Sequence, residues 1–278
     1  MRIRSHVNFI CVTCGTEYLE SHDPPARCSI CEDERQYVGL EGQQWTTLPQ
    51  LRTTHRNQIQ SEEPNLTSIF IEPKFTIGQR AFVLRTPEGN LLWDCITLID
   101  DATIASVQQL GGLRAIAISH PHYYTTMIEW GRAFGDVPIY LHEADRKWVM
   151  RPDDSILFWE GDATALFGGL TLIRGGGHFE GGTMLHWPAG ADGRGALLSG
   201  DIIPVVPDRT WVSFMYSYPN YIPLSAAAVE RIVGAIEPFE FDRIYGAFNG
   251  MTVATDGKRA VHRSADRYIA NLTALRPR

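Results

Sequence analysis

His120, His122, His178 and Asp201 each follow an apolar run, at a turn marked by Gly or Pro. Ala115-Ile116-Ala117-Ile118 reads as a buried strand and runs straight into Ser119-His120-Pro121-His122. Leu170-Thr171-Leu172-Ile173 is a second strand, followed by Arg174-Gly175-Gly176-Gly177-His178. Ala196-Leu197-Leu198 is a third, followed by Ser199-Gly200-Asp201. Strand alternation stops where the turn begins, so two histidines two residues apart reach one ion if that turn curls. Three imidazoles and a carboxylate from three strand ends form a donor set that suits zinc or ferrous iron.

A second set of ligands lies near the N-terminus. Four of the five cysteines fall as Cys11-x2-Cys14 and, after thirteen residues, Cys28-x2-Cys31. Paired knuckles at this separation are the signature of a tetrahedral four-cysteine zinc site. Gly15 and Pro24-Pro25 supply the turns. Two disulfides or a redox C-x2-C are the competing readings, and disulfides need an oxidising compartment. Cys95 stands alone in Trp93-Asp94-Cys95-Ile96 and reads as a small buried hydrophobe.

The elements that must position these groups fit one large domain with a small appendage, within 278 residues. A hydrophobic share of 44% and a charged share of 21% are those of an ordinary globular protein. A net charge of −7 argues against non-specific nucleic-acid binding. The N-terminal Met1-Arg2-Ile3-Arg4 is basic, but the apolar stretch Val7 to Val12 is short and broken by Asn8, so no signal peptide is read there. No run approaches the ~20 apolar residues of a membrane-spanning helix. A cytoplasmic location and no membrane partner are the expectation.

Residues 1–45 read as a zinc ribbon, with Gln36-Tyr37-Val38 and Gln44-Trp45-Thr46 as short strands. So small a unit replaces a core with metal. Residues 46–66 are polar and read as a connector with one short helix. From 67 to 278 the pattern is that of a second domain. Strands are predicted at 68–71, 81–84 and 90–93, then a helix over 101–111 and strand 114–118. A helix from Thr125 to Phe134, strand 138–141 and helix 142–149 follow. Strands near 170–174, 183–187 and 195–199, helix 224–236, strand 241–246 and helix 257–275 close the chain. Meandering strands that later alternate with helices imply α/β layering.

The order of these motifs resembles the metallo-β-lactamase superfamily. Strand then His-x-His, the Gly-rich turn Gly175-Gly176-Gly177-His178-Phe179-Glu180-Gly181-Gly182, and Leu197-Leu198-Ser199-Gly200-Asp201 carry the resemblance over roughly residues 67–278. It implies an αββα sandwich with metal at one edge. Two departures stand out. Where the family has His-x-His-x-Asp-His, this chain has His120-Pro121-His122-Tyr123-Tyr124-Thr125, so Tyr124 replaces the Asp and Thr125 the third His. The family's last His should fall near Gly246-Ala247-Phe248-Asn249-Gly250, where Asn249 is the only polar side chain. By the family's scheme the first metal keeps His120, His122, His178 and Asp201, and the second keeps only the shared Asp201. The resemblance therefore implies a mononuclear centre, of zinc or iron.

Each group also has a plainer role available. Isolated histidines are usually satisfied hydrogen-bonding groups, the reading given to His6, His22, His55, His142, His186 and His262. Asp201 could cap a turn, Tyr123 and Tyr124 could be packing aromatics, and Glu180 is a loop carboxylate or a base. Gly175–Gly177 lacks the residues of a phosphate cradle, and no G-x-S-x-G elbow exists. The expected function is hydrolysis of an ester, thioester, lactone or amide in a small-molecule substrate, with Asp201 and Tyr124 as the candidate catalytic groups. The alternatives are a mononuclear iron oxygenase of the same fold, or an inactive scaffold whose pocket binds a ligand or whose ribbon binds a partner protein; a protein partner or self-association is the partner expectation. Substrate contacts are expected from loops 75–80, 151–162 and 204–222, the last an apolar lid bearing Trp211, Phe214, Tyr216, Tyr218 and Tyr221.

Overall fold

The computed structural model describes residues 6–273. The basic Met1–Arg4 segment and the last two residues of the helix predicted over 257–275 lie outside them. The chain forms two compact units, one of residues up to Leu141 with Asp145–Phe158, the other of His142–Ala144 with the residues from Trp159 onward.

The first unit is built on a seven-stranded sheet whose strands neighbour one another in chain order. Arg56–Glu63, Leu66–Glu72, Arg80–Thr86 and Gly89–Trp93 pair antiparallel as a meander. Ala115–Ala117 and Ile139–His142 then add in parallel. A parallel neighbour needs a crossover. The helix Asp101–Gln109 supplies the first, started by the Asp100 carboxylate accepting the Thr103 N–H at 2.8 Å. The central strands are apolar on both faces because both faces are buried. Arg56–Glu63 differs from the sequence expectation of a connector. Its residues Arg-Asn-Gln-Ile-Gln-Ser-Glu-Glu are largely exposed or half-buried, as befits an outermost strand. The short helix expected before it is present at Leu48–Leu51.

The cysteine knuckles belong to this unit. Ile10–Cys11 pairs with Trp45–Thr46, while Gln36-Tyr37-Val38 forms no strand. Ile156–Trp159, read from sequence as part of a loop, is the last strand of the large sheet. The segment read as helix 142–149 is a 3₁₀ stretch, Glu143–Trp148.

The second unit carries a six-stranded sheet: Ala163–Ala165, Thr171–Arg174, Thr183–Trp187, Ala196–Gly200, Arg243–Gly246 and Thr252–Val253. All neighbours are antiparallel except Ala196–Gly200 with Arg243–Gly246. Helices Ala226–Ile236 and Gly257–Thr273 bury Val229, Ile232 and Ile236, and Ala260, Val261 and Ala265, in one cluster with Leu197 and Ile244 of the sheet. Positions 229, 232 and 236 are spaced i, i+3, i+7 and positions 261 and 265 i, i+4, which puts an apolar stripe on each helix. Among the described residues, no helix is long and apolar enough to cross a membrane.

Candidate metal centre

Two groups of buried side chains offer ligand atoms that lie within 4.8 Å of one another: Cys11, Cys14, Cys28 and Cys31, and His120, His122, His178 and Asp201. They are the two sets singled out from sequence.

In the first, the sulfur atoms of Cys11 and Cys31 are 3.5 Å apart and those of Cys14 and Cys28 3.6 Å apart. A disulfide requires about 2.05 Å. Four thiolates around a zinc at about 2.3 Å stand roughly 3.8 Å from one another. The observed spacing therefore suits a tetrahedral ion, and all four cysteines are free. Gln43 Nε2 donates to the Cys11 sulfur at 3.2 Å, and the Tyr18 hydroxyl to the Cys28 sulfur at 3.4 Å. These donors orient the sulfurs. Ile30 lies among the cysteines, and Tyr18, Trp45 and Trp148 pack around the cluster, which replaces the missing core. Cys95 is fully buried, as expected, and burial pushes its thiol pKa up.

In the first unit's share of the second group, His120 ends an extended segment and Pro121–Tyr123 makes one 3₁₀ turn. That turn breaks the strand alternation and leaves the rings of His120 and His122 edge-on at 5.2 Å. Two residues missed in the sequence hold the turn. Asp94, buried at the end of strand Gly89–Trp93, accepts the Ser119 N–H at 2.7 Å. Ser119 Oγ in turn sits 2.9 Å from His120 Nδ1, which directs Nε2 away from the strand. The signal for Asp94 was available: a lone carboxylate directly after an apolar strand. Tyr124 is buried beside the charge of Asp145, and burial raises its phenol pKa well above the usual range, so it keeps its proton. Thr125 adopts φ +30°, a conformation β-branched residues rarely take.

In the second unit, His178 leaves the Gly-rich turn fully buried. The Tyr216 carbonyl lies 2.8 Å from its Nδ1. A carbonyl only accepts, so Nδ1 carries the proton and Nε2 keeps its lone pair. The turn itself demands glycine. At Gly177 (φ +79°) a Cβ would stand 2.9 Å from both Ile232 Cδ1 and Leu224 Cδ1. The N–H groups of Gly175 and Gly176 both donate to Gly182 O, so this run turns the chain and does not cradle phosphate. Asp201 follows Gly200, whose φ is +51°. The Tyr218 hydroxyl donates to the Asp201 carbonyl at 2.8 Å, with its ring edge-on to His178 at 5.4 Å. Burial, then the Asp201 charge, raises the Tyr218 pKa.

The remaining candidates separate cleanly. Glu180 and Asn249 are exposed. His142 has its Nε2 on Gly161 O at 3.0 Å and accepts the Ala144 N–H at Nδ1; His186 has its Nε2 on Glu240 O at 2.8 Å. Burial lowers the pKa of both, so they are neutral and satisfied. His55 bonds Thr54, His262 faces Glu237, and His6 packs on His22. The 204–222 segment is anchored rather than free. Phe214 is fully buried against Tyr268, Arg267 stacks on Trp211 at 3.7 Å, and the Val212 N–H bonds Ser264 Oγ. Of Trp211, Phe214, Tyr216, Tyr218 and Tyr221, only Tyr221 is exposed, at 84%.

No protein-family profile matches the chain. A protein of Bacillus subtilis (strain 168), "Uncharacterized protein YmaE", is 50% identical over 268 residues, which cover 96% of this chain and 97% of that one. The chain belongs to the YmaE family. Solved structures give that family its fold. The DIM-1 metallo-β-lactamase superposes with a TM-score of 0.59 at 14% identity, covering 79% of this chain and 99% of its own. VMB-1 superposes at 0.57 and 12% identity, over 79% and 99%. FIM-1 from Pseudomonas aeruginosa, in its mono-zinc form, gives 0.57 and 12%, over 76% and 95%. The YmaE-family chain thus has a metallo-β-lactamase fold with a four-cysteine cluster at its N-terminal end.

Proposed function

We propose that this protein is a metal-dependent hydrolase with one ion in its pocket, held by His120, His122, His178 and Asp201, and that it cleaves an ester, thioester, lactone or amide bond in a small molecule. The reading is carried by the grouping of four buried ligand side chains at three strand ends within one ion's reach. The donor chemistry fits zinc: imidazole and carboxylate, with the tautomer of His178 set by a carbonyl. A zinc ion held by these residues would supply Lewis acidity toward a carbonyl oxygen and would make water in the pocket more acidic. Ser119 and Tyr216 aim the imidazoles; Asp201 offsets the ion's charge. Tyr124 keeps its proton and acts as a neutral phenol, able to donate a hydrogen bond but not to serve as a base at neutral pH. That FIM-1 has a mono-zinc form supports a single ion in this fold. The cysteine cluster holds a structural zinc, because four thiolates leave no open position.

Metal analysis of full-length protein tests this reading, joined to a hydrolysis screen across the four bond types. At most two ions per chain are expected. His120→Ala should lose the pocket ion and any hydrolysis while keeping the cysteine-bound ion. Two ions in the pocket refute the ligand count. Undiminished hydrolysis after His120→Ala refutes the mechanism. Ferrous iron with O2 uptake moves the assignment to an oxygenase, and no pocket ion in excess zinc moves it to a binding protein.

A further inference from the structure

The first cysteine knuckle is packed onto the turn that carries two of the pocket histidines. Gly15, directly after Cys14, has φ +82° and lies against three threonines. A Cβ on it would meet Thr97 Oγ1 at 2.3 Å, Thr76 Cγ2 at 3.1 Å and Thr125 Cγ2 at 3.4 Å. Two residues on, the Glu17 N–H donates to the Thr125 carbonyl at 3.1 Å. Thr125 lies three residues past His122, in the short turn between the Pro121–Tyr123 segment and the helix that starts at Met127. Its positive φ is a strained conformation that persists only where the surroundings impose it.

A second tie runs beside the first. The Glu17 carboxylate is buried in an ion pair with Arg151. Arg151 also pairs with Glu129 at 2.8 Å, and Glu129 lies in the helix Met127–Ala133 that begins two residues after Thr125. Thr126 and Trp130 fasten the other side, bonding the carbonyls of Thr97 and Ile96 at 2.8 and 2.9 Å. The knuckle therefore grips the segment at its strained residue and at the helix that follows. Inside the knuckle the Gly15 N–H donates to the Cys11 carbonyl at 2.8 Å, so Gly15 is tied to the loop that carries Cys11 and Cys14.

We propose that the four-cysteine unit is a positioning device for the His120–His122 turn, acting through Gly15 and Glu17 on Thr125, so that the ion at the cysteines and the capacity of the histidines to hold an ion are coupled. The part of this that concerns the pocket ion rests on the function proposed above; the part that concerns the turn does not. Coupling is reciprocal, so an ion in the pocket should also protect the cysteine-bound ion from chelators.

Full-length protein loaded with cobalt(II) separates the two sites. The cysteine site gives intense thiolate charge-transfer absorption and the pocket weaker visible bands. Gly15→Ala keeps every cysteine but presses on Thr97. Gly42→Ala is the control, a ribbon glycine of φ +80° with nothing within 4 Å of an added Cβ. Gly15→Ala should retain the charge-transfer band, lower pocket affinity for cobalt at least tenfold, and speed amide hydrogen exchange over residues 119–127. Gly42→Ala should do neither. Removing the cysteine-bound ion from wild-type protein with a thiol-specific mercurial should reproduce both effects, which covers the event that Gly15→Ala fails to fold. Unchanged exchange at 119–127, in the variant or after the mercurial, overturns the inference. Faster exchange in a protein whose wild type binds no pocket cobalt upholds the positioning role and removes the pocket ion instead.

Discussion

The Tyr216 carbonyl sits 2.8 Å from Nδ1 of His178 and fixes which ring nitrogen of that histidine is left to bind a metal. A backbone carbonyl cannot be removed by substitution, so the test falls on the residue that holds the segment near His178. Tyr218 places its ring beside His178 and its hydroxyl on the Asp201 carbonyl. Tyr218→Phe keeps the ring and deletes the bond. It should cost about 1 kcal/mol in denaturant unfolding and weaken pocket zinc binding several-fold in chelator competition. Unchanged zinc affinity would mean that Tyr218 only packs.

Gly177→Ala should be more damaging. The new methyl meets Ile232 and Leu224 at 2.9 Å, on a backbone of φ +79°. Together these effects should lower stability by about 1–3 kcal/mol and displace His178. Metal content after dialysis, measured beside urea midpoints, checks both.

Glu17 sets a pH dependence. Burial raises its pKa from 4.5 to about 7, with Arg151 pulling it down and Glu129 pushing it up. Between these values the folded chain holds a proton that the unfolded chain has released. Stability from this group is therefore full below pH 4.5 and declines as pH rises toward about 7. The total is on the order of 3 kcal/mol. Glu17→Gln removes this slope. Urea unfolding of both metal-loaded proteins at mildly acidic and mildly alkaline pH should show the wild type losing more stability; parallel losses would exclude the assignment.

His142 and His186 serve as internal controls. Both are neutral and satisfied by backbone partners. Replacing either with alanine deletes one side-chain hydrogen bond to a backbone carbonyl, at about 1 kcal/mol, with zinc stoichiometry unchanged. A lost ion in either variant would place a ligand where the geometry has none.

Much of this arrangement is legible in the chain. Ala115–Ile118, Leu170–Ile173 and Ala196–Leu198 are unbroken apolar runs ended by Gly or Pro, and so are the strands they became. The cysteine spacing alone gave the first cluster. What escaped did so for physical reasons. Arg56–Glu63 is an outermost strand with little burial, so it carries no apolar alternation. Phe214 and Tyr221 look alike in sequence, yet one is core and the other bare surface, a difference set by helix Gly257–Thr273 far along the chain. The group that orients His178 is a main-chain carbonyl, which any residue at 216 would supply.

Thr125 has a consequence for how such a chain can change. It occupies the position where the resembled motif has a third histidine, and it is buried, with Gly15 against it and its carbonyl tied to Glu17. An imidazole there needs space that the cysteine knuckle has taken. Thr125→His is therefore tolerable only in a chain that has already altered its knuckle. The order of mutational steps is thereby constrained, and the cysteine knuckle acts as an epistatic lock on the turn that carries His120 and His122.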